Sequence, residues 1–434
     1  MSTYQEFLAA KATRVPSVGP EVPTAEIHPL LHDWQAEIVQ WAARTGRAAI
    51  WADTGLGKSI MAVEWLRHVT AGGSGLIVAP LAVCHQFVRE AAKVGVVATY
   101  VRTSAQVDGP GVYVTNYEMV QHFDPLDFTA VVLDEASILK QSDGKTRTML
   151  IRHFEAVPYR LTCTATPAPN DPEELTNQAE FLGHMSRVHM LAAYFIHDDQ
   201  GWRLKGHARR PMMEWMATWA LAIRKPSDMG GSDEGYDLPG LNIVTHLIDV
   251  PIEADGQLFP TDLGGVGGRA QVRRETLDAR CRKAAELVKA EPDEPWLIWC
   301  GLNDEAELLA ELTGGLNITG SMAPEAKAAA LLGFADGVHQ IVVTKPGIAS
   351  QGLNYQHCAR MAFVGLSDSY EQYYQAIRRC YRYGQTRVVD AHVILSELEG
   401  QIAVNIARKE RNASQVTAAL VDEMRRNRSG RTPE

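Results

Sequence analysis

The sequence has little cysteine, no long hydrophobic run and no excess of positive charge, and each shortage removes a class of function. The six cysteines (Cys84, Cys163, Cys281, Cys300, Cys358, Cys380) are scattered over 434 residues with no Cys-x-x-Cys pair. That spacing argues against a zinc site and for a reducing, cytoplasmic setting. No apolar run approaches the roughly 18 residues that a bilayer crossing requires, so no membrane partner is expected. Met1 to Arg14 has no long apolar stretch, and no secretory leader is expected. The net charge of −10 opposes a protein that coats nucleic acid by bulk charge. Local basic segments remain, at Arg203 to Arg210 and in the tail with Arg425, Arg426, Arg428 and Arg431. Low-complexity segments and short repeats are also missing. What is present, 46% apolar and 22% charged residues, is the composition of a soluble globular chain long enough for two to three domains.

The densest signal lies at Ala52-Asp53-Thr54-Gly55-Leu56-Gly57-Lys58-Ser59. An apolar run, Ala48 to Trp51, precedes it and reads as a buried strand; Ile60 to Leu66 follows with helical spacing. Strand, glycine-bearing loop, Lys-Ser and helix form the layout of a nucleotide phosphate cradle. Gly55 and Gly57 let the loop wrap, with Thr54 inside it, so that backbone N–H groups converge on phosphate oxygens. The helix N-terminus adds partial positive charge. Lys58 is expected to reach the β- and γ-phosphates and Ser59 to hold Mg²⁺, with Ala52 replacing the usual first glycine.

Short apolar runs then alternate with helical stretches. Leu76–Ala79, Val112–Thr115, Val131–Leu133 and Arg160–Thr162 read as strands of a mostly parallel, helix-covered sheet. From about Met185 to Arg224 the chain reads as helical and tryptophan-rich, followed by loose Gly-rich stretches at 229–235 and 264–268. Alternation resumes with Trp296–Trp299, Asn317–Thr319, Gln340–Val343, Met361–Val364 and Ala391–Ile394. The expected organisation is an N-terminal extension (1–27), an α/β domain (28–185), a helical insert and linker (186–270), a second α/β domain (271–410) and a basic tail (411–434). Only the first α/β domain carries a phosphate loop.

Two further clusters fit a nucleotide. Asp134-Glu135 ends the Val131–Leu133 run, where strand termini converge on a ligand; Asp134 suits Mg²⁺ and Glu135 suits the attacking water. Thr164 and its neighbours close the next strand, with hydroxyls that could connect the acidic pair to the second domain. Arg379 and Arg382 are three apart, and on a helix they share a face suited to the γ-phosphate.

In order, these pieces resemble superfamily 2 helicases, and most closely the Swi/Snf-like DNA translocases, over roughly His28 to Arg408. Leu31 to Gln35 resembles the adenine-reading Q motif. Ala79-Pro80-Leu81 and Thr115 to Glu118 resemble motifs Ia and Ib. Asp134 to Ser137 takes the place of the DEAH-type box, with Ser137 where histidine is usual. Ile138 to Gln141 and Leu161 to Asn170 resemble stretches of the Swi/Snf-like branch, 344–354 resembles motif V, and Gln375 to Gln385 resembles motif VI. Trp202 to His207 and Ile223 to Asp228 look like compact helicases of phages and prophages, and hence like a protein working in a bacterial cytoplasm with phage or host replication and recombination proteins.

The resemblance implies two RecA-like domains with ATP and Mg²⁺ between them. Gln35 and Trp34 would lie near the base, and Gly352 and Asn354 would add nucleotide contacts. Arg379 and Arg382 would arrive from the second domain. It also implies DNA, duplex or branched, held by its backbone through Thr115, Asn116, Ser321, Thr344 and Lys345, with Arg203, Lys205 and Arg224 extending the track. An ATP-gated clamp without movement, and a motor subunit of a restriction or repair complex, fit the same residues.

Overall fold

The computed structural model describes residues 15–141, 144–199, 201–248, 274–349, 354–367, 369–396 and 399–428. It contains two compact units. One runs to Asp233 and resumes at Arg411; the other is Glu234–Glu410.

The first unit is built on a seven-stranded sheet. Its strands are β1 (Arg47–Ala52), β2 (Ser74–Ala79), β3 (Ala98–Tyr100), β4 (Gly111–Asn116), β5 (Ala130–Asp134), β6 (Tyr159–Thr164) and, after the separate hairpin β7 (Phe195–Asp198) and β8 (Gly201–Leu204), β9 (Ala220–Ile223). The spatial order is β3-β4-β2-β5-β6-β1-β9. Every described pairing in it is parallel. β2 and β5 are buried at every residue, as a sheet covered by helices on both faces requires. Under β1 the Trp51 indole N–H donates to Gln178 Oε1 at 2.9 Å, and its ring meets Trp219 edge-on at 5.8 Å.

Among the described residues the second unit has six strands: β10 (Leu241–Ile248), β11 (Trp296–Cys300), β12 (Leu316–Ile318), β13 (Ile341–Thr344), β14 (Arg360–Val364) and β15 (Val389–Ser396). They lie in the order β10-β15-β14-β11-β13-β12, again with parallel pairings. Trp296, Ile298, Val343, Ala362 and Ile394 share one buried core. Two parallel sheets flanked by helices are the two RecA-like domains that the motif order implied. Among the described residues no helix is long and apolar enough to cross a membrane.

The region expected as a helical insert and linker differs. It holds the helices Arg187–Tyr194 and Arg209–Met216, but also the β7–β8 hairpin and one strand of each main sheet, β9 and β10. β9 is a four-residue apolar run, too short for periodicity to separate a strand from a buried helix. β10 shows no clean alternation: Asn242 to Thr245 are all exposed. The expected basic tail is also ordered up to Arg428, as the end of a helix, Gly400–Arg428. There Met424 Sδ accepts from the Ala222 N–H at 3.0 Å, and Arg425 pairs with Asp228 at 2.7 Å. The 249–270 part of the insert, the first fourteen residues and 429–434 lie outside the described residues.

Candidate active site

β1 delivers the chain into the phosphate loop. Gly55 and Gly57 have φ of +88° and +80°, the left-handed region that glycine enters without steric cost. The requirement at Gly57 is double, because a Cβ there would stand 2.4 Å from Gln35 Nε2. The helix Lys58–Val69 starts at once, so its first N–H groups face the loop. Lys58 Nζ donates to the carbonyls of Ala52 (2.8 Å) and Asp53 (3.3 Å). Thr54 is buried, with its N–H on Asp53 Oδ1 at 2.6 Å, and Ser59 is half-buried. Gln35 spans the loop and the preceding turn: Oε1 accepts from the His32 N–H at 2.9 Å and Nε2 donates to Leu56 O at 3.0 Å. Trp34, expected near the base, is only 5% exposed, packed among residues of its own chain.

β5 ends in the acidic pair. Asp134 is buried; that burial, and then the neighbouring Glu135 carboxylate, push its carboxyl up to about 7 against the opposing pull of Lys58. Lys58 and Asp134 therefore share one electrostatic site at the carboxyl ends of β1 and β5. Glu135 has φ +53°, a left-handed conformation in a residue with a side chain. Its Oε2 accepts from Thr164 Oγ1 at 3.4 Å, so a hydroxyl from the end of β6 does meet the pair. The Tyr117 hydroxyl donates to Asp134 O at 2.5 Å. Tyr117 was missed as a support of the acidic pair, although it stands inside the Thr115–Glu118 motif. Glu64 was missed too: fully buried on the phosphate-loop helix, it accepts from the His28 N–H at 2.8 Å and from Arg67 Nε at 3.0 Å. Its spacing to Arg67 and His68, three and four residues, was the available signal.

In the second unit the arginines are not on a helix. The helix Tyr370–Ile377 ends before them, and Arg378 to Arg382 form turns, with Arg379 N–H on Ala376 O at 3.2 Å and Arg382 N–H on Cys380 O at 3.1 Å. Bonds spanning three and two residues interrupt the four-residue ladder at these two positions, although the Tyr381 N–H still reaches Ile377 O at 2.9 Å, so a shared helical face is not how the two meet. Arg379 is buried, with Nε on Gln375 O at 3.1 Å. Arg382 donates to Asn354 Oδ1, while its buried Nε has no hydrogen-bond partner. Burial, then the Arg379 and Arg378 charges, lower its guanidinium to about 10. A half-buried cation with a buried, unsatisfied Nε–H is complementary to an anionic oxygen. Gly352 lies outside the described residues.

Several expected nucleic-acid contacts are not at the surface. Thr115 and Thr344 are 0% exposed and Asn116 is 4% exposed. They close apolar strands, and in-chain bonds occupy two of them: Thr344 Oγ1 donates to Ile318 O at 3.0 Å, and Asn116 Oδ1 accepts from Tyr100 at 3.0 Å. Lys205 Nζ is bound to the Ala192 carbonyl at 2.8 Å, at the end of the helix Arg187–Tyr194. Arg203, Arg224 and Ser321 are exposed; Lys345 is half-buried, with Nζ on Asn303 Oδ1 at 2.7 Å.

Two family models match the chain. Residues 28–189 match the SNF2-related domain, and residues 279–384 match the helicase conserved C-terminal domain. A search of curated proteins gave no match. Among solved structures, the Sulfolobus solfataricus SWI2/SNF2 ATPase core in complex with dsDNA is similar at 15% identity and TM-score 0.45, covering 94% of this chain and 98% of that one. With an SNF2-related domain around the phosphate loop and a helicase C-terminal domain around the paired arginines, the chain belongs to the Swi/Snf-like branch of the superfamily 2 helicases, as a DNA-dependent ATPase.

Proposed function

We propose that this ATPase is a motor that converts ATP hydrolysis into movement along duplex DNA. The observation that carries the chemical half is the meeting of Lys58, Asp134 and Glu135 at the carboxyl ends of β1 and β5. The residues fit a magnesium nucleotide: a glycine loop with no room for a Cβ at Gly57, a cation, and a buried carboxylate. Ser59 and Asp134 would hold Mg²⁺, which when bound neutralises charge on the β- and γ-phosphates. Lys58 exchanges the Ala52 and Asp53 carbonyls for phosphate oxygens. Glu135 orients a water and takes its proton as the water attacks the γ-phosphorus and ADP leaves. Arg379 and Arg382, on the second unit, carry positive charge of the kind that a γ-phosphate in transfer requires.

The proposed track uses the exposed side chains of Arg203 and Ser321 and the half-buried Lys345, whose Nζ would exchange Asn303 for a phosphate oxygen. Contacts of this kind go to phosphates and give motion without sequence preference. The test is ATPase activity on single-stranded, duplex and forked DNA and on RNA at fixed salt, together with displacement of a third strand from a triplex. Duplex stimulation with triplex displacement is expected. Stimulation without displacement identifies a clamp, and stimulation by RNA alone removes DNA as the substrate. Lys58→Ala should abolish turnover in every arm.

A further inference from the structure

The turn after β9, Arg224 to Asp233, sits beside the phosphate loop. β9 runs parallel to β1 with Ile223 opposite Ala52, and the Asp53 N–H donates to the Ile223 carbonyl at 3.0 Å. Arg224 is thus the first residue past its strand, next to the first residues of the loop. Strand order decides which end of a nucleotide lies there. The acidic pair, which marks the hydrolysed end, is on β5, reached from β1 across β6; β9 flanks β1 on the opposite side. A triphosphate gripped after β1 with its γ-phosphate toward β5 directs its nucleoside toward β9.

The turn is firmly built. The buried Asp228 carboxylate accepts from the N–H groups of Arg224 (2.7 Å) and Lys225 (3.2 Å) and from Arg425 (2.7 Å). Asp233 accepts from the Ser227 N–H at 2.8 Å and from Lys225 Nζ at 2.6 Å. A Cβ on Gly231 would stand 2.7 Å from Trp34 Cδ1, so the turn lies directly on that indole. With Trp34 covered, the cations at the surface of this wall are the Lys225 ammonium, ion-paired with Asp233, and the guanidinium of Arg224, which directly follows the strand beside the loop. Its side chain is 46% exposed and its Nε lies 3.9 Å from Asp228 Oδ2.

We propose that Arg224 contacts the nucleoside of bound ATP, laying its guanidinium plane on the base, and is not part of the nucleic-acid track. The inference rests on the ATP-site reading above and deepens it. A guanidinium matches the π-face of a purine in shape and charge, which an ammonium does only in charge.

The test is calorimetric titration of the full chain with ATP and, separately, with inorganic tripolyphosphate, for wild type, Arg224→Ala, Arg224→Lys and Lys58→Ala. Arg224→Ala should weaken ATP binding by about tenfold and leave tripolyphosphate binding unchanged. Arg224→Lys should recover only part of the loss, and duplex-DNA affinity without nucleotide should stay at the wild-type value. Unchanged ATP affinity in Arg224→Ala, or an equal loss for ATP and tripolyphosphate, overturns the proposal. So does a drop in DNA affinity with ATP affinity intact, which returns Arg224 to the track. Failure of the wild type to bind ATP, or undiminished binding by Lys58→Ala, overturns the underlying site reading instead.

Discussion

At the scale of single residues the site stores unfavourable free energy. Asp134 is a carboxyl whose ordinary value near 3.8 is pushed up to about 7 by burial and by Glu135. A raised folded-state value means that the native protein holds this proton more tightly than the unfolded chain. The associated stability is complete below about pH 4 and is lost as pH rises through 7. Asp134→Asn, which cannot ionise, should therefore be more stable than wild type at pH 8 by an amount on the order of 2 kcal/mol. Melting curves at pH 5, 6.5 and 8 should show the difference shrinking toward pH 5. On the proposed assignment of Asp134 to Mg²⁺, the same proton would compete with the ion, and wild-type affinity for magnesium nucleotide should fall as pH drops from 8 to 6. Glu135, held at φ +53°, adds backbone strain of the kind that clusters at functional sites. Gly57→Ala would place a Cβ against Gln35 in a left-handed conformation costing about 1–2 kcal/mol. It should depress nucleotide affinity while circular dichroism stays unchanged.

At the scale of elements, the helix Asp33–Thr45 and the segment that leads into it are tied to the phosphate loop and its helix at two points. Gln35 bonds Leu56 O at 3.0 Å, and the His28 N–H bonds Glu64 at 2.8 Å. Burial alone would raise Glu64, but the bonds from His68, Arg67 and the His28 N–H overrule it and hold the carboxyl down at about 2. Stability linked to a lowered value is present above about pH 4.5 and is lost as pH falls toward 2. Glu64→Ala leaves these donors without their acceptor and should destabilise the first unit by about 3 kcal/mol in urea denaturation. It should also raise KM for ATP with little change in kcat. Elements that carry chemistry were the most legible in the sequence. β1, β5 and the phosphate-loop helix announce themselves by an apolar run, glycines and an acidic pair in sequence. The turn holding Arg379 and Arg382 was not legible, because the residues after Ile377 continue a helical pattern while the backbone N–H groups of Arg379, Cys380 and Arg382 leave the four-residue ladder. Thr115, Asn116 and Thr344 show the converse, since their types suit a polar contact but their strand positions bury them.

At the scale of the whole molecule, the first unit is made from two distant pieces of chain. Val416, Leu420, Val421 and Met424 are buried, and they belong to the piece that resumes at Arg411. Local pattern reading placed a basic tail there, because periodicity reports that a helix has an apolar face and not what that face covers. The same limit hid β9, whose place beside β1 depends on pairing across 171 residues, from Ala49 to Ala220. Truncation before Arg411 should remove about 5 kcal/mol or more from the first unit, given about 1.5–3 kcal/mol for each buried apolar side chain. Hydrogen exchange should show β1 and β9 losing protection in the truncated protein while β11 and β14 keep theirs.

The discontinuous first unit also sets an order of assembly during synthesis. Its phosphate loop emerges early, yet the helix segment that seals β9 is translated only after every residue of the second unit. At about 5–20 residues per second, the stretch from Asp233 to Arg411 occupies the ribosome for on the order of 10–40 s. Through that interval the nascent chain carries its oldest sheet with one apolar surface uncovered, and the unit begun first is the one completed last.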